Sequence, residues 1–121
     1  MTTVTAQELK QKKCVPCEGG VPPVSPEVAR QLLNSLPGWE ITAGGKAIQR
    51  QWVVKNFVAG MTFLKQVADV AEQEQHHPDV HLTGYRIVRI ELTTHAIGGL
   101  SENDFILAAK INDLPVELKK S

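Results

Sequence analysis

Tyr85-Arg86-Ile87-Val88-Arg89-Ile90-Glu91-Leu92-Thr93-Thr94-His95 decides the fold. Successive side chains of a strand point to opposite faces. Val88, Ile90 and Leu92 therefore share one face, and Ile87, Arg89, Glu91, Thr93 and His95 share the other. One face is oily and the other largely polar. That pattern belongs to an antiparallel sheet covered by helices on one side only, because a parallel sheet is covered on both and reads as a continuous apolar run. Just upstream, Val80 and Leu82 alternate with His81 and Thr83, and Thr83-Gly84 forms a short turn. Residues 80–94 are thus two adjacent strands.

Further out, Trp39 and Ile41 alternate with Glu40 and Thr42, Gly44-Gly45 supplies a turn, and residues 47–54 form the partner strand. Ile48, Trp52 and Val54 lie on one face of that partner, with Gln49 and Gln51 on the other, a hairpin signature. Three helices separate and flank these strands. Ser25-Pro26-Glu27 combines an N-cap serine, a proline at the first helical position and an acid in the first turn. Val28, Leu32 and Leu36 then recur at helical spacing, Leu33 widens the stripe, and Pro37-Gly38 ends it. Asn56 caps the next helix, whose apolar stripe reads Phe57, Met61, Leu64, Val67 or Ala68, and Ala71. It must stop near His76, because Pro78 disfavours helical dihedrals at His77. Ser101-Glu102-Asn103-Asp104 resembles a capping box with Asp in place of the usual Glu or Gln. Phe105, Ile106, Ala108, Ala109 and Ile111 form the buried side of that last helix, and Pro115 limits it. The fold class is α+β: a two-layer α-β-β-α-β-β-α arrangement, with a four-stranded antiparallel sheet and helices on one face. Its exposed edges invite self-association, since an unpaired strand edge templates pairing.

A chain of 121 residues suffices for one domain. Thirteen basic residues balance thirteen acidic ones, so no basic excess points to nucleic acid. No apolar run approaches a membrane span. Residues 1–13 are polar and lysine-bearing, unlike a secretory signal, and the expected location is cytoplasmic. Residues 1–24 read as a loosely docked N-terminal arm and residues 25–121 as the domain proper. The arm holds both cysteines, Cys14 and Cys17, in a C-x-x-C spacing among prolines and glycines. Two thiols fall short of the four ligands of a structural zinc site within one chain, and the pair reads as a free-thiol loop. Zinc shared between two subunits is the alternative.

Chemistry concentrates in three of the four histidines. His76 and His77 sit at a helix C-terminus, where the helix dipole favours a protonated imidazole, and His95 lies near a strand end. Adjacent His76 and His77 cannot easily chelate one ion together, and no H-E-x-x-H pattern is present, so no metal site is expected. No Gly-x-Ser-x-Gly motif or glycine-rich phosphate loop occurs. Proton transfer by imidazoles, whose unperturbed pKa is about 6.5, remains open, as does a plain helix-end and strand-end role for each histidine.

Glu72, His76-His77-Pro78, Tyr85, His95 and Asp104 together spell E-x3-H-H-P-x6-Y-x9-H-x8-D. This resembles the signature of the pterin-4a-carbinolamine dehydratases. The resemblance covers roughly residues 25–115, including Thr93-Thr94-His95 and Gly99-Leu100-Ser101-Glu102. It differs from several animal members, which carry aromatic residues after His-His-Pro where Asp79-Val80-His81-Leu82 stands here. The resemblance implies dehydration of 4a-hydroxytetrahydrobiopterin to quinonoid dihydropterin, recycling the cofactor of aromatic amino-acid hydroxylases. It implies no cofactor beyond the reduced pterin that is the substrate, and a homodimer or homotetramer. By the same resemblance His76, His77 and His95 are the catalytic residues, with His76 and His95 as the acid-base pair and His77 orienting the pterin. Glu72, Thr93, Thr94 and Asp104 are the expected substrate-binding residues; strand propensity alone also explains the threonines, and capping alone Asp104. The rival is a non-catalytic binding or assembly protein on the same scaffold, either a transcription-factor dimerisation cofactor or a Rubisco assembly factor.

Overall fold

In a computed structural model, which describes residues 6–12, 23–42 and 44–120, the element order is α1 (Ala6–Gln11), α2 (Pro26–Leu33), β1 (Glu40–Ile41), β2 (Ile48–Val53), α3 (Phe57–Glu74), β3 (Asp79–Thr83), β4 (Ile87–Leu92), a single 3-10 turn (His95–Ile97) and α4 (Glu102–Asn112). The four strands form one antiparallel sheet in the order β1-β2-β4-β3. β4 is thus internal, with Val88 opposite Trp52 on one side and Leu82 on the other.

Its oily face carries the core. Val88, Ile90 and Leu92 are fully buried, and Ile48, Trp52 and Val54 join them from β2 and its end. Phe63 and Val67 of α3 and Phe105, Ile106 and Ala109 of α4 close over that layer. Trp52 packs edge-on against Trp39 at 5.9 Å between ring centroids, a geometry that aromatic quadrupoles favour, and lies tilted against Phe63 at 4.9 Å. The Arg50 guanidinium lies 4.7 Å from the Trp52 ring, and its partial burial lowers its pKa from the ordinary value.

Several local expectations are corrected. In α2 the buried residues are Ala29 and Leu32, with Leu36 buried just beyond its end, while Val28 is 40% exposed. In α3 the core face is Ala59, Phe63, Val67 and Ala71, and Phe57 and Met61 are half exposed. The helix is apolar on two faces, and small residues choose between them. A side chain on Gly60 would come within 3.2 Å of Leu82 and 3.3 Å of Val54, so the glycine side is the one that approaches the sheet. β4 begins at Ile87 rather than Tyr85. Gly84 and Tyr85 both have positive φ, 52° and 53°, which places Tyr85 in the turn with its ring exposed beside Arg86.

Part of the region expected to be an arm is helical. Leu9 of α1 is fully buried, and Lys10 and Lys12 reach Asp113 and Glu102 of the α4 region at 3.1 Å each. Cys14 and Cys17 lie outside the described residues. Among the described residues no helix is long and apolar enough to cross a membrane.

Candidate active site

The site begins where α3 ends. Gln75 adopts a left-handed conformation, φ 54° and ψ 38°, and the backbone N–H of His76 donates to Ala71 O at 3.2 Å. This closes the helix with a six-to-one bond usually made around glycine or asparagine. The Gln75 side chain donates to Glu72 O at 2.6 Å and holds the turn. Because the helical path breaks there, the two adjacent histidines enter different surroundings.

His76 turns inward. Its Nε2 lies 2.6 Å from Asp104 Oδ1, with the histidine side chain 12% exposed and the aspartate wholly enclosed. Asp104 stands in the first turn of α4 and accepts the backbone N–H of Ser101 on Oδ2 at 2.9 Å. The same oxygen accepts the Thr94 hydroxyl at 2.8 Å, and Thr94 Oγ1 is 2.7 Å from Ser101 Oγ. Thr94 follows the end of β4, paired with Gly99 across the 3-10 turn, and is itself buried. One carboxylate therefore ties the end of α3, the end of β4 and the start of α4 together. Beside it, Lys110 of α4 meets Glu74 of α3 at 3.0 Å, so the same two helices are pinned a second time.

His77 turns outward and back. Its Nε2 sits 2.5 Å from Glu72 Oε2, and both side chains are well exposed. The pair lines a groove of about 390 Å³ whose apolar walls include Leu64, Ala68 and Val80. His95 belongs to the 3-10 turn rather than to the strand, and its side chain is exposed. Thr93 donates to Lys46 O at 2.6 Å.

The structure thus joins His76, Thr94 and Asp104 in one network and Glu72 with His77 in a second. It places His95 one residue beyond Thr94, on the solvent side. Ser101 is also a member of the first network, although its place in the sequence marks it only as a cap. The Ser-x-x-Asp spacing already linked it to Asp104, but the contact with Thr94 depends on β4 and α4 meeting. Among the described residues no three His, Cys, Asp or Glu side chains cluster as metal ligands do.

Comparison with known proteins gives a consistent picture. Residues 22–114 match the sequence profile of the family described as pterin 4 alpha carbinolamine dehydratase. The chain is 48% identical, over 96% of its length, to the Arabidopsis thaliana protein named pterin-4-alpha-carbinolamine dehydratase 2, mitochondrial, of which it spans 64%. It is 48% identical over 91% of its length to a Nitrosospira multiformis chain that carries the dehydratase name provisionally, and it spans 95% of that chain. A solved Brucella melitensis structure described as a transcriptional coactivator/pterin dehydratase superposes with a TM-score of 0.70 at 32% identity, covering 74% of this chain and 95% of its own. A pterin dehydratase-like protein described as a RuBisCO assembly factor in the alpha-carboxysome superposes with a TM-score of 0.53 at 20% identity, over 62% of this chain and 86% of its own, a likeness of fold alone.

Proposed function

Because this chain belongs to the pterin 4 alpha carbinolamine dehydratase family, we propose that it dehydrates a 4a-hydroxytetrahydropterin to the quinonoid dihydropterin, with histidines as acid and base. The C4a–O bond breaks as the hydroxyl takes a proton and leaves as water. N5 gives up its proton, and its electron pair forms the C4a=N5 double bond. No electrons enter or leave, so the balance calls for proton donors and acceptors rather than a redox partner. Recycling of the pterin used by aromatic amino-acid hydroxylases is the corresponding role.

The observation that carries this reading is the inward His76 on a buried Asp104. A carboxylate that accepts from an imidazole fixes the ring's orientation, which is what a proton-transfer group requires. His95, exposed one residue past Thr94, is the second member of the acid-base pair. His77, held by Glu72 in the lining of the groove, binds and orients the pterin. Asp104 and Thr94 are too enclosed to meet a ligand and act through His76. Thr93 and the backbone beside it are left to meet the amide edge of the pterin.

Stopped-flow absorbance on freshly generated carbinolamine tests the reading. The wild type is expected to exceed the buffer rate, and His76→Ala and His95→Ala each to lose on the order of a hundredfold or more. A wild type no faster than buffer, or alanine variants at wild-type rate, would reject it. A cytoplasmic location and assembly into a homodimer or homotetramer are parts of the same proposal.

A further inference from the structure

We propose that Thr94 and Ser101 are positioning residues which, through Asp104, fix the proton order of a buried chain ending on His76, so that Nδ1 is the His76 nitrogen left to exchange a proton with substrate. The kinetic consequence rests on the dehydratase reading; the proton order rests on geometry alone.

The order follows from counting hydrogens. The Ser101 backbone N–H only donates, so Asp104 Oδ2 is its acceptor. The Thr94 hydroxyl donates to that same oxygen. A hydroxyl owns one hydrogen, so the contact between Thr94 Oγ1 and Ser101 Oγ is donated by Ser101. A carboxylate that already takes two donors on Oδ2 presents Oδ1 as a third acceptor, and the group facing it at 2.6 Å is His76 Nε2. Nε2 therefore carries the hydrogen in the neutral ring, and the lone pair sits on Nδ1. The chain reads Ser101 O–H to Thr94 O–H to Asp104, with His76 Nε2–H donating from the other side.

Thr94 is the member that locks it. Without its hydroxyl the carboxylate keeps the Ser101 N–H on Oδ2 and His76 on Oδ1, but loses the buried donor that helps hold Oδ2 in place. Thr94 is 4% exposed and Asp104 fully buried, so bulk water is not at hand to replace a lost hydroxyl. Valine at 94 keeps the shape of threonine and removes the donor. Serine keeps the donor.

The test combines kinetics with the ring's own signature. The chain has four histidines, so 15N-histidine NMR above the pH of imidazole titration gives four tautomer patterns, and single histidine substitutions assign the one from His76. Wild type and Thr94→Ser are expected to show His76 as one form, protonated on Nε2. Thr94→Val is expected to show a mixture, with kcat lowered on the order of tenfold and KM within about twofold. Ser101→Ala keeps the backbone bond to Asp104 and carries the same test should the valine variant fail to fold. A wild-type His76 protonated on Nδ1, or folded variants that keep both the wild-type tautomer and kcat, would overturn the proposal. If the wild type shows no dehydration while the tautomer pattern and its response to Thr94→Val hold, the proton order stands and the dehydratase reading falls.

Discussion

Two histidines adjacent in sequence give opposite expectations for substitution. Asp104→Ala removes an acceptor from three donors at once, those of the buried Thr94 and of the partly buried His76 and Ser101. Buried donors without partners are costly, and urea denaturation is expected to show a loss of about 2–4 kcal/mol. His77→Ala removes a pair whose members are 61% and 70% exposed, and the same measurement is expected to show less than about 0.5 kcal/mol. Equal losses in the two variants would mean that burial does not set the energetics of these contacts. At this scale much of the site is legible in sequence. The spacing of Glu72, His76, His77, His95 and Asp104 marks three of the four imidazoles, including both that the structure sets in hydrogen-bonded pairs, His76 and His77. The direction each side chain takes is not legible. Asp104 reads as a cap because Ser-x-x-Asp satisfies a local rule, and its bond to His76, 28 positions away, depends on where two helices meet.

The element that matters most is the end of α3. A non-glycine residue in the left-handed region carries a cost of roughly 1–2 kcal/mol, which Gln75 partly offsets through its own bond to Glu72 O. A β-branched residue fits that conformation worse and lacks the bond. Gln75→Val is therefore expected to lower stability by about 1–2 kcal/mol, whereas Gln75→Gly is expected to stay within about 1 kcal/mol of wild type. Thermal or urea unfolding of the two variants checks this, and a valine variant as stable as the glycine one would count against the turn. Pro78 announces that the helix stops before His77, but no residue type at position 75 announces a left-handed turn. The apolar stripe of α3 is the other element-level lesson. Phe57, Met61, Leu64 and Ala68 and the set Ala59, Phe63, Val67 and Ala71 both satisfy helical spacing. Spacing alone does not choose between them; the fold buries the set beside Gly60 because there the helix lies against Leu82 and Val54.

The whole molecule leaves surface that a monomer of 13.3 kDa does not explain. β3 is an edge strand with Val80 47% exposed, and α3 presents Phe57, Val58 and Met61, each at least half exposed. Size-exclusion chromatography with light scattering is expected to give a dimer or tetramer at micromolar concentration, and Val80→Lys combined with Met61→Lys to shift it towards monomer. A wild-type monomer would reject self-association. Overall architecture was readable from alternation and breakers, down to the side of the sheet that is covered. The docking of α1 was not, because a six-residue helix with one buried leucine has no periodicity to read.

The seam around Asp104 also bears on when the protein acquires its chemistry. The strands β3 and β4 pair across a turn of a few residues, so the sheet's own contacts there are local. His76, Thr94, Ser101 and Asp104 come together only when α4 lies down on the sheet and on the end of α3. A chain with its strands paired and α4 undocked holds all the right residues and none of their proton order. Gain of catalytic competence during refolding then marks the last long-range closure rather than the first collapse.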